Sequence, residues 1–337
     1  MKKKKIEEIC KKGIDFLKKV KGNCLIVHDS DCDGICSASI FLKIFKKMKI
    51  KAKVLNKERI NEKIIEKFDC LIFLDIPRIE ESVIEKIKKK KVLIVDHHFP
   101  VRYPKKFVYI NPRIYEKNAY IPTSCLSYVI GKEFLEKNEI CWLGLVGTIC
   151  DKGEKNCKWI RKDCKKIDEY IYVFANVVNS CRIFNENNSS FVAKVLAKSQ
   201  NYIEILKGNK KEHLKILKWY FESQREIEKI LKNFEKEKIE KNGYVFFEVK
   251  SKLFFKSTIA SILAEKIKKK VLVVFQERNG KIEISLRRGK GCRKNLLKIV
   301  EKVLKKVKGS GGGHPQAAGL KIEKINRKKL IEIFMNI

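Results

Sequence analysis

The chain has 337 residues, enough for two domains with separate hydrophobic cores, and its formal net charge is +37. No apolar run is long enough to span a membrane, and the basic amphipathic segment 1–19 lacks the apolar centre of a secretory signal. The 12 cysteines include no C-x-x-C pair, which argues against zinc-finger spacing. We therefore expect a cytoplasmic protein with reduced thiols.

The charge comes from 77 Lys and Arg residues against 40 Asp and Glu residues. Such an excess favours a polyanionic partner, because Lys and Arg release counterions from phosphates when they bind. A Lys- and Ile-rich background is also typical of thermophiles and of A/T-biased genomes, so both explanations of the charge stay open.

Short β-branched runs alternate with amphipathic segments in the first half of the chain. Strands are predicted at 24–27, 53–55, 71–74, 92–95 and 107–110. Helices are predicted at 1–20, 35–49, 62–67, 80–90, 123–134 and 139–149, with more helices in 165–205. This alternation predicts an α/β domain with a doubly wound, mostly parallel sheet.

The second half begins with a long charged helix, predicted over 211–240 and ended by Asn242-Gly243. Strands are then predicted at 245–249, 271–275 and 282–286, with a hairpin turn at Asn279-Gly280 and helices at 259–269 and 296–307. The segment 309–319, GSGGGHPQAAG, is predicted to be a loop before a short strand and a last helix. We expect domains at 1–205 and 243–337, joined by a helix in 206–242; the second is a smaller α/β domain.

Acidic and imidazole side chains follow three of the predicted strands. They are Asp29, Asp31 and Asp33 after the first, Asp75 after the third, and Asp96, His97 and His98 after the fourth. In an open parallel sheet, ligands bind beyond the carboxyl ends of the strands. We therefore expect these side chains to face one crevice and to bind metal there.

Each group also has a structural explanation. The acids of DSDCDG could form a calcium loop, but position 40 is Ile and supplies no later Glu ligand. They could cap the next helix, although capping requires one acid rather than three. Asp75 precedes Ile76-Pro77 and could be a turn residue, and Asp151 could belong to a helix-terminal turn.

The adjacent pair His97-His98 uses two of the five histidines in the chain. Neutral imidazole is a good ligand for Mn²⁺, Zn²⁺ or Fe²⁺, and imidazolium can bind phosphate. Asp96 is placed to orient His97 as a second-layer partner.

The glycine-rich segment near the end of the chain offers a second kind of site. Backbone amides of Gly311, Gly312 and Gly313 can approach phosphate with no side chain in the way, and His314 adds a donor. Arg287 and Arg288 end a predicted strand and can bind phosphate with their guanidinium groups. A glycine run is often a linker, but a linker would not continue into HPQAA and a strand.

Together these segments resemble the DHH phosphoesterase family. The similarity covers nearly the whole chain, from DSDCDGI in the form found in RecJ, through Asp75, VDHH and GTICDKG, to the GGGHxxAAG segment of a DHH-associated domain. The resemblance implies a catalytic DHH domain in 1–205 and a substrate-binding domain in 243–337.

The resemblance also implies roles for individual residues. It implies a pair of Mn²⁺ ions, with Mg²⁺ or Co²⁺ as substitutes, bound by a set of five ligands: Asp29, Asp31, Asp75, His97 and Asp151. Asp33 and Asp96 would support the ligands, and His98 would contact the scissile phosphate. Asp75 is the best candidate to bridge the two ions.

This sequence departs from parts of the family in two ways. The pyrophosphatase and small-oligonucleotide branches have a ligand His four positions before the first Asp, where this chain has Leu25. His28 is not equivalent to it and ranks below the five ligands. Bacterial RecJ continues into an OB-fold after the glycine-rich segment, which we do not expect here, so we expect a firm grip on long strands to need a partner.

We expect a Mn²⁺-dependent phosphodiesterase that acts from an end of single-stranded DNA or RNA, with replication or repair proteins as further partners. The alternative enzyme hydrolyses very short RNA, as nanoRNases do, or cyclic dinucleotides or phosphoadenosine phosphate. A third alternative is a replisome scaffold that binds nucleic acid without cutting it. Such scaffolds lose metal ligands, whereas every motif is intact here.

Overall fold

The computed structural model describes residues 1–164, 167–185 and 187–337. They form two compact units, Met1–Phe221 and Glu222–Ile337, and each is described by itself. Positions 165, 166 and 186, inside the predicted helical stretch 165–205, lie outside the described residues. Among the described helices, none has both the length and the apolar character needed to cross a lipid bilayer.

The first unit is built on a five-stranded sheet in which every neighbouring pair is parallel. Its strands are β1 (Cys24–His28), β2 (Ala52–Asn56), β3 (Cys70–Leu74), β4 (Lys91–Val95) and β5 (Val108–Ile110). The spatial order β2-β1-β3-β4-β5 reverses between β1 and β3, which makes this the topological switch point where α/β sheets bind ligands.

Helices cover both faces of this sheet. They are α1 (Lys3–Lys18), α2 (Cys32–Lys47), α3 (Glu62–Ile65), α4 (Glu81–Ile87), α5 (Thr123–Gly131), α6 (Lys137–Cys150), α7 (Lys158–Asp163), α8 (Tyr170–Phe184), α9 (Asn188–Lys198) and α10 (Tyr202–Leu206). Alternate residues of one strand enter different cores: Ile26 packs with α1, α2, α5 and α6, and Leu25 packs with α3 and α4. The predicted doubly wound α/β architecture is confirmed.

Helix α11 (Lys211–Glu237) is 27 residues long and contributes residues to both units. The predicted helix over 211–240 was too long, because Ile239–Lys241 forms strand β6. Asn242 and Gly243, with φ of 48° and 78°, form the two-residue turn from β6 to β7 rather than the end of the helix. The pattern is the one predicted correctly for Asn279-Gly280, where φ is 50° and 70°.

The second unit has a six-stranded mixed sheet in the order β10-β11-β9-β8-β7-β6, in which only β7 and β8 pair in parallel. Its elements are β6, β7 (Tyr244–Glu248), α12 (Lys256–Ala264), β8 (Val271–Arg278), β9 (Lys281–Arg288), α13 (Leu296–Leu304), β10 (Gly309–His314), β11 (Ala317–Glu323) and α14 (Arg327–Met335). The segment predicted as a glycine-rich loop is therefore strand β10 and its turn into β11.

Candidate metal centre

Strands β1, β3 and β4 end at the same level of the sheet, because their last residues, His28, Leu74 and Val95, are aligned. The next residue of each strand is an aspartate: Asp29, Asp75 and Asp96. Their backbone amides extend the sheet by one more hydrogen bond each. The sheet thus places these three aspartates in one row at its carboxyl edge.

His97 lies at the centre of the cluster. Its Nε2 is 3.3 Å from Oδ1 of Asp75 and 3.2 Å from Oδ2 of Asp151. Two groups of potential metal ligands share this imidazole, and in each group the ligand atoms lie within 4.8 Å of one another. One group is Asp75, His97 and His98; the other is Asp33, His97 and Asp151.

Asp75 is almost fully buried and adopts a left-handed backbone conformation, with φ of 61°. Thr123 donates its hydroxyl to Oδ1 of Asp75 at 3.0 Å. Burial and the neighbouring carboxylates of Asp31 and Asp33 raise the pKa of Asp75 well above its ordinary value. Several buried acids cannot all ionise without a counter-charge, and a divalent cation would supply it.

His97 also fits a metal-binding role by its hydrogen bonding. Its side chain is buried, Nε2 faces two carboxylates, and Nδ1 has no hydrogen-bond partner among the described residues. Carboxylate oxygen with imidazole nitrogen is a donor set that suits Mn²⁺ and similar ions. The residues present therefore fit a divalent metal.

Asp33 is tied to the start of helix α5. Its Oδ2 accepts the backbone amide of Thr123 at 2.7 Å, and its Oδ1 accepts that of Ser124 at 2.9 Å. Burial and the nearby charge of Asp151 raise the pKa of Asp33 to about 7. Asp33 thus joins α2 to α5 and also faces His97 and Asp151.

Asp31 caps helix α2 by accepting the amide of Gly34 at 3.0 Å. Although burial acts to raise it, the pKa of Asp31 is lowered by the charge of Arg182, the Gly34 amide and a hydrogen bond with Asp75. Gly34 is required here, because a Cβ atom at this position would lie 2.6 Å from the carbonyl oxygen of Asp29. Asp31 therefore caps helix α2 and also contacts Asp75.

Asp29 and Asp31 are the two predicted ligands that belong to neither group. Oδ1 of Asp29 accepts the amide of Ser30 at 2.6 Å, and its Oδ2 forms an ion pair with Lys57. Both oxygens of Asp29 thus have donors from the protein itself.

Asp96 orients His98 rather than His97, which corrects the sequence-based expectation. Oδ1 of Asp96 lies 2.8 Å from Nδ1 of His98, and its Oδ2 accepts the His98 amide at 3.1 Å. Although burial lowers the pKa of His98, the hydrogen bond with Asp96 and the charge of Asp75 raise it. The His98 side chain remains 33% exposed, so it is accessible for contact with a substrate.

His28 has a structural environment. The ring is completely buried, with Nδ1 2.6 Å from the carbonyl oxygen of Asp29 and Nε2 3.0 Å from the hydroxyl of Ser190 on α9. Burial lowers its pKa to about 4, so the ring is neutral near pH 7. This geometry gives His28 no nitrogen directed at the metal cluster.

Sequence reasoning missed four residues that surround the cluster. Tyr120 donates its hydroxyl to Oδ2 of Asp151 at 3.0 Å, Thr123 contacts Asp75, and Lys57 and Arg182 place positive charge beside the acidic loop. None of them belongs to a short motif, because each comes from a distant part of the chain. Of these four, only Lys57 could have been found from the sequence, because it directly follows strand β2 and therefore also lies at the carboxyl end of a strand.

In the second unit, Arg287 and His314 both pair with Ala317, one from each side of strand β11. Paired residues of neighbouring strands project to the same face, so these two side chains share a face about 10 Å apart at Cα. The next row of paired residues on that face lies two residues further along each strand and consists of Ser285, Gly319 and Gly312. Arg288 pairs instead through its backbone amide, which donates to the carbonyl oxygen of Gln316 at 3.2 Å.

The glycines of β10 differ in their surroundings. A Cβ atom on Gly311 would lie 2.7 Å from the carbonyl oxygen of Gly319, and one on Gly313 would lie 2.5 Å from that of Ala317. Gly312 would meet nothing within 4 Å. Close packing thus explains Gly311 and Gly313, whereas Gly312 leaves the backbone open on the face that carries Arg287 and His314.

Comparison with solved structures finds RecJ of Thermus thermophilus in complex with Mn²⁺, with a TM-score of 0.74 and 13% identity. The match covers 98% of this chain and 53% of that one, so the chain spans about half the length of that protein. An exonuclease RecJ bound to manganese matches with a TM-score of 0.68 and 13% identity, covering 98% of this chain and 92% of that one.

A DHH domain described as a member of the s1p family of ribosomal proteins matches with a TM-score of 0.71 and 16% identity, covering 99% of this chain and 89% of that one. At these identities the similarity establishes the fold. No curated protein matches the chain.

Two family models match the chain itself. Residues 23–146 match the N-terminal domain of the DHH family, and residues 256–336 match the DHHA1 domain. The first match contains the aspartates and histidines that follow β1, β3 and β4, and the second contains the arginines of β9 and the glycines of β10. The chain belongs to the DHH family of phosphoesterases and carries a C-terminal DHHA1 domain.

Proposed function

We propose that this chain is a Mn²⁺-dependent phosphodiesterase that releases nucleotides from an end of single-stranded DNA or RNA. The observation that carries the proposal is the imidazole of His97, which two groups of potential metal ligands share. Nε2 of His97 has one lone pair and would hold one ion beside Asp75 and Asp151, and the remaining carboxylates would hold a second. Two bound ions would polarise the phosphate and supply a nucleophile from water.

The residues of the chain divide the work in this proposal. Asp75, His97 and Asp151 bind metal, and Asp31 joins them through its contact with Asp75. Asp33 fixes the acidic loop against helix α5, so the ligands are held in place before substrate arrives. The ligands are therefore ordered when the protein folds, and substrate binding does not have to supply the free energy for ordering them.

His98 is the proposed contact to the scissile phosphate. Asp96 accepts from Nδ1, and its hydrogen bond helps to raise the pKa of His98, which favours the imidazolium. In that form Nε2 of the partly exposed ring also carries a proton and can donate to a phosphate oxygen. Stabilisation of developing phosphate charge by a fixed donor typically contributes about 10²–10³-fold in rate.

The second unit is proposed to bind the substrate strand. Arg287, His314 and the open backbone at Gly312 share one face of its sheet, which suits a phosphate backbone with little side-chain obstruction. Phosphate contacts of this kind are independent of base identity, which is consistent with a substrate that is read by its end and its backbone.

The test uses single strands of DNA and RNA from 2 to about 40 nucleotides, labelled at either end, a range that exceeds one binding-site length of single-strand proteins. We expect stepwise shortening from one end with Mn²⁺ and none in EDTA. Asp75→Asn should abolish it, whereas Asp15→Asn, an exposed acid on α1, should not. Cleavage confined to the shortest strands would instead indicate a short-oligonucleotide phosphodiesterase, and full activity in EDTA would refute the metal mechanism.

A further inference from the structure

Lys57 is the first residue after strand β2 and lies beside the acidic loop. Because Asn56 aligns with His28 across β2 and β1, Lys57 and Asp29 occupy equivalent positions at the same edge of the sheet. The ammonium of Lys57 forms an ion pair with Oδ2 of Asp29. The Lys57 side chain is 32% exposed and that of Asp29 is 18% exposed, so this pair is partly shielded from water.

The backbone around Lys57 is fixed. Asn56 accepts the amide of Glu58 at 2.8 Å and caps the short turn that starts at Lys57. The amide group of Asn56 also donates to the hydroxyl of Ser189 at 3.0 Å. These bonds hold the backbone beside Lys57, and its long side chain extends along the carboxyl edge of the sheet to Asp29.

The ion pair occupies Asp29, which is one of the two predicted ligands outside both ligand groups. Its Oδ1 accepts from Ser30, and its Oδ2 is held by Lys57. A divalent cation that binds Oδ2 of Asp29 meets the Lys57 ammonium at close range, and repulsion between the two positive charges weakens binding of both to this carboxylate. Lys57 and metal thus compete for the same carboxylate.

We propose that Lys57 is a positioning residue that couples metal binding to phosphate binding through Asp29. In the absence of substrate its ammonium holds Asp29 and weakens metal binding. A phosphate at the site offers the ammonium an alternative partner and frees Asp29 for the cation. Because coupling between two ligands is reciprocal, bound metal also strengthens phosphate binding. The inference rests on the proposed metal-dependent function and adds regulation of that site.

The test measures Mn²⁺ affinity by electron paramagnetic resonance of the free ion, without any turnover. Lys57→Met removes the competing cation and should bind Mn²⁺ more tightly by roughly two- to five-fold, the range of a partly solvated ion pair. Lys57→Arg should stay close to wild type. Lys53→Met, at an exposed position on the preceding strand β2, is the matched control and should change nothing.

The second arm adds thymidine monophosphate as the phosphate probe. Wild type should bind Mn²⁺ more tightly when the probe is present, and Lys57→Met should lose most of this gain. A structural role for Lys57 would weaken metal binding on substitution, so equal or weaker binding by Lys57→Met overturns the inference. Absence of Mn²⁺ binding by wild type would instead refute the proposed function, and with it this role of Lys57.

Discussion

Thr123 donates its backbone amide to Oδ2 of Asp33 at 2.7 Å, and this bond attaches the first turn of α5 to the acidic loop at the start of α2. The second oxygen of Asp33 accepts the next amide, that of Ser124. The same α5 residue, Thr123, donates its hydroxyl to Asp75. One helix start therefore fixes two of the acids that surround His97.

Replacement of Asp33 by Asn should lower the free energy of unfolding. The amide group of Asn can accept only one of the two backbone N–H groups and leaves the other buried and unpaired, which costs about 1–3 kcal/mol. Urea unfolding of Asp33→Asn against Asp15→Asn measures the difference without reference to activity. Equal stability of the two variants would mean that Asp33 does not anchor α5.

His97→Ala and His98→Ala should fail in different ways. His97 faces two carboxylates with one nitrogen, so its loss should reduce the amount of metal bound. His98 is held by Asp96 and partly exposed, so its loss should leave metal bound and slow turnover by about 10²–10³-fold. Metal content and rate constants of both variants check the assignment, and indistinguishable variants would contradict it.

The strand ends were predictable because a short apolar run followed by an acid or a histidine is a local pattern. Asp29, Asp75, Asp96 and their neighbours needed only that pattern and the rule that parallel strands end at one edge. The partner of Asp96 was not predictable, because the choice between His97 and His98 depends on the direction in which the chain leaves β4. Contacts such as Thr123 with Asp75, 48 residues apart, need the packed fold.

The glycine-rich segment shows why composition alone misled. Glycine favours loops in general, yet Gly311 and Gly313 occur in a strand because β11 approaches too closely for a side chain. Asn242-Gly243 shows a similar ambiguity, since the same dipeptide can end a helix or turn a hairpin. The strand that follows, Tyr244–Glu248, indicates a hairpin only if the residues before Asn242 are also recognised as a strand, β6, that pairs with it.

His28 should make the protein sensitive to acid. Its pKa is about 4 in the fold, because burial disfavours the charged ring, against about 6.5 in the unfolded chain. Below pH 6.5 the unfolded chain binds more protons at this residue than the folded protein does. The contribution of His28 to the free energy of unfolding is therefore full above that pH and is lost as the pH falls toward 4. Between pH 7 and pH 5 the free energy of unfolding should decrease by about 2 kcal/mol.

His28→Asn keeps a donor for the carbonyl oxygen of Asp29 and removes the titration. Its free energy of unfolding should therefore change less between pH 7 and pH 5 than that of wild type, even if its stability at pH 7 is lower. Urea unfolding at both pH values provides the comparison. The same pH dependence in both proteins would show that His28 is not the acid-sensitive group.

Gly311→Ala and Gly312→Ala form a matched pair within one strand. The new methyl group of Gly311→Ala would lie 2.7 Å from the carbonyl oxygen of Gly319, so we expect a loss of about 1–3 kcal/mol in unfolding free energy. Gly312→Ala meets no atom within 4 Å and should keep its stability. If the open backbone at Gly312 contacts phosphate, Gly312→Ala should weaken oligonucleotide binding all the same, which fluorescence anisotropy can measure.

Arg287→Ala and His314→Ala should separate substrate binding from the metal chemistry. Both residues lie in the second unit, which contributes no residue to the two ligand groups around His97. Metal content should therefore stay normal while nucleic-acid binding weakens. The contribution of Arg287 should shrink as salt rises, because counterion release is the source of phosphate affinity. Lys281→Ala, at the far end of strand β9, is the control.

The decisive measurement compares an oligonucleotide with bis-p-nitrophenyl phosphate, a small activated diester that has no strand to be held. Arg287→Ala and His314→Ala should lose far more activity on the oligonucleotide, because binding energy from remote phosphates serves only the long substrate. The row formed by Arg287, Ala317 and His314 predicts that the two losses overlap in the double variant. Parallel losses on both substrates would place the arginine and the histidine in the catalytic centre itself.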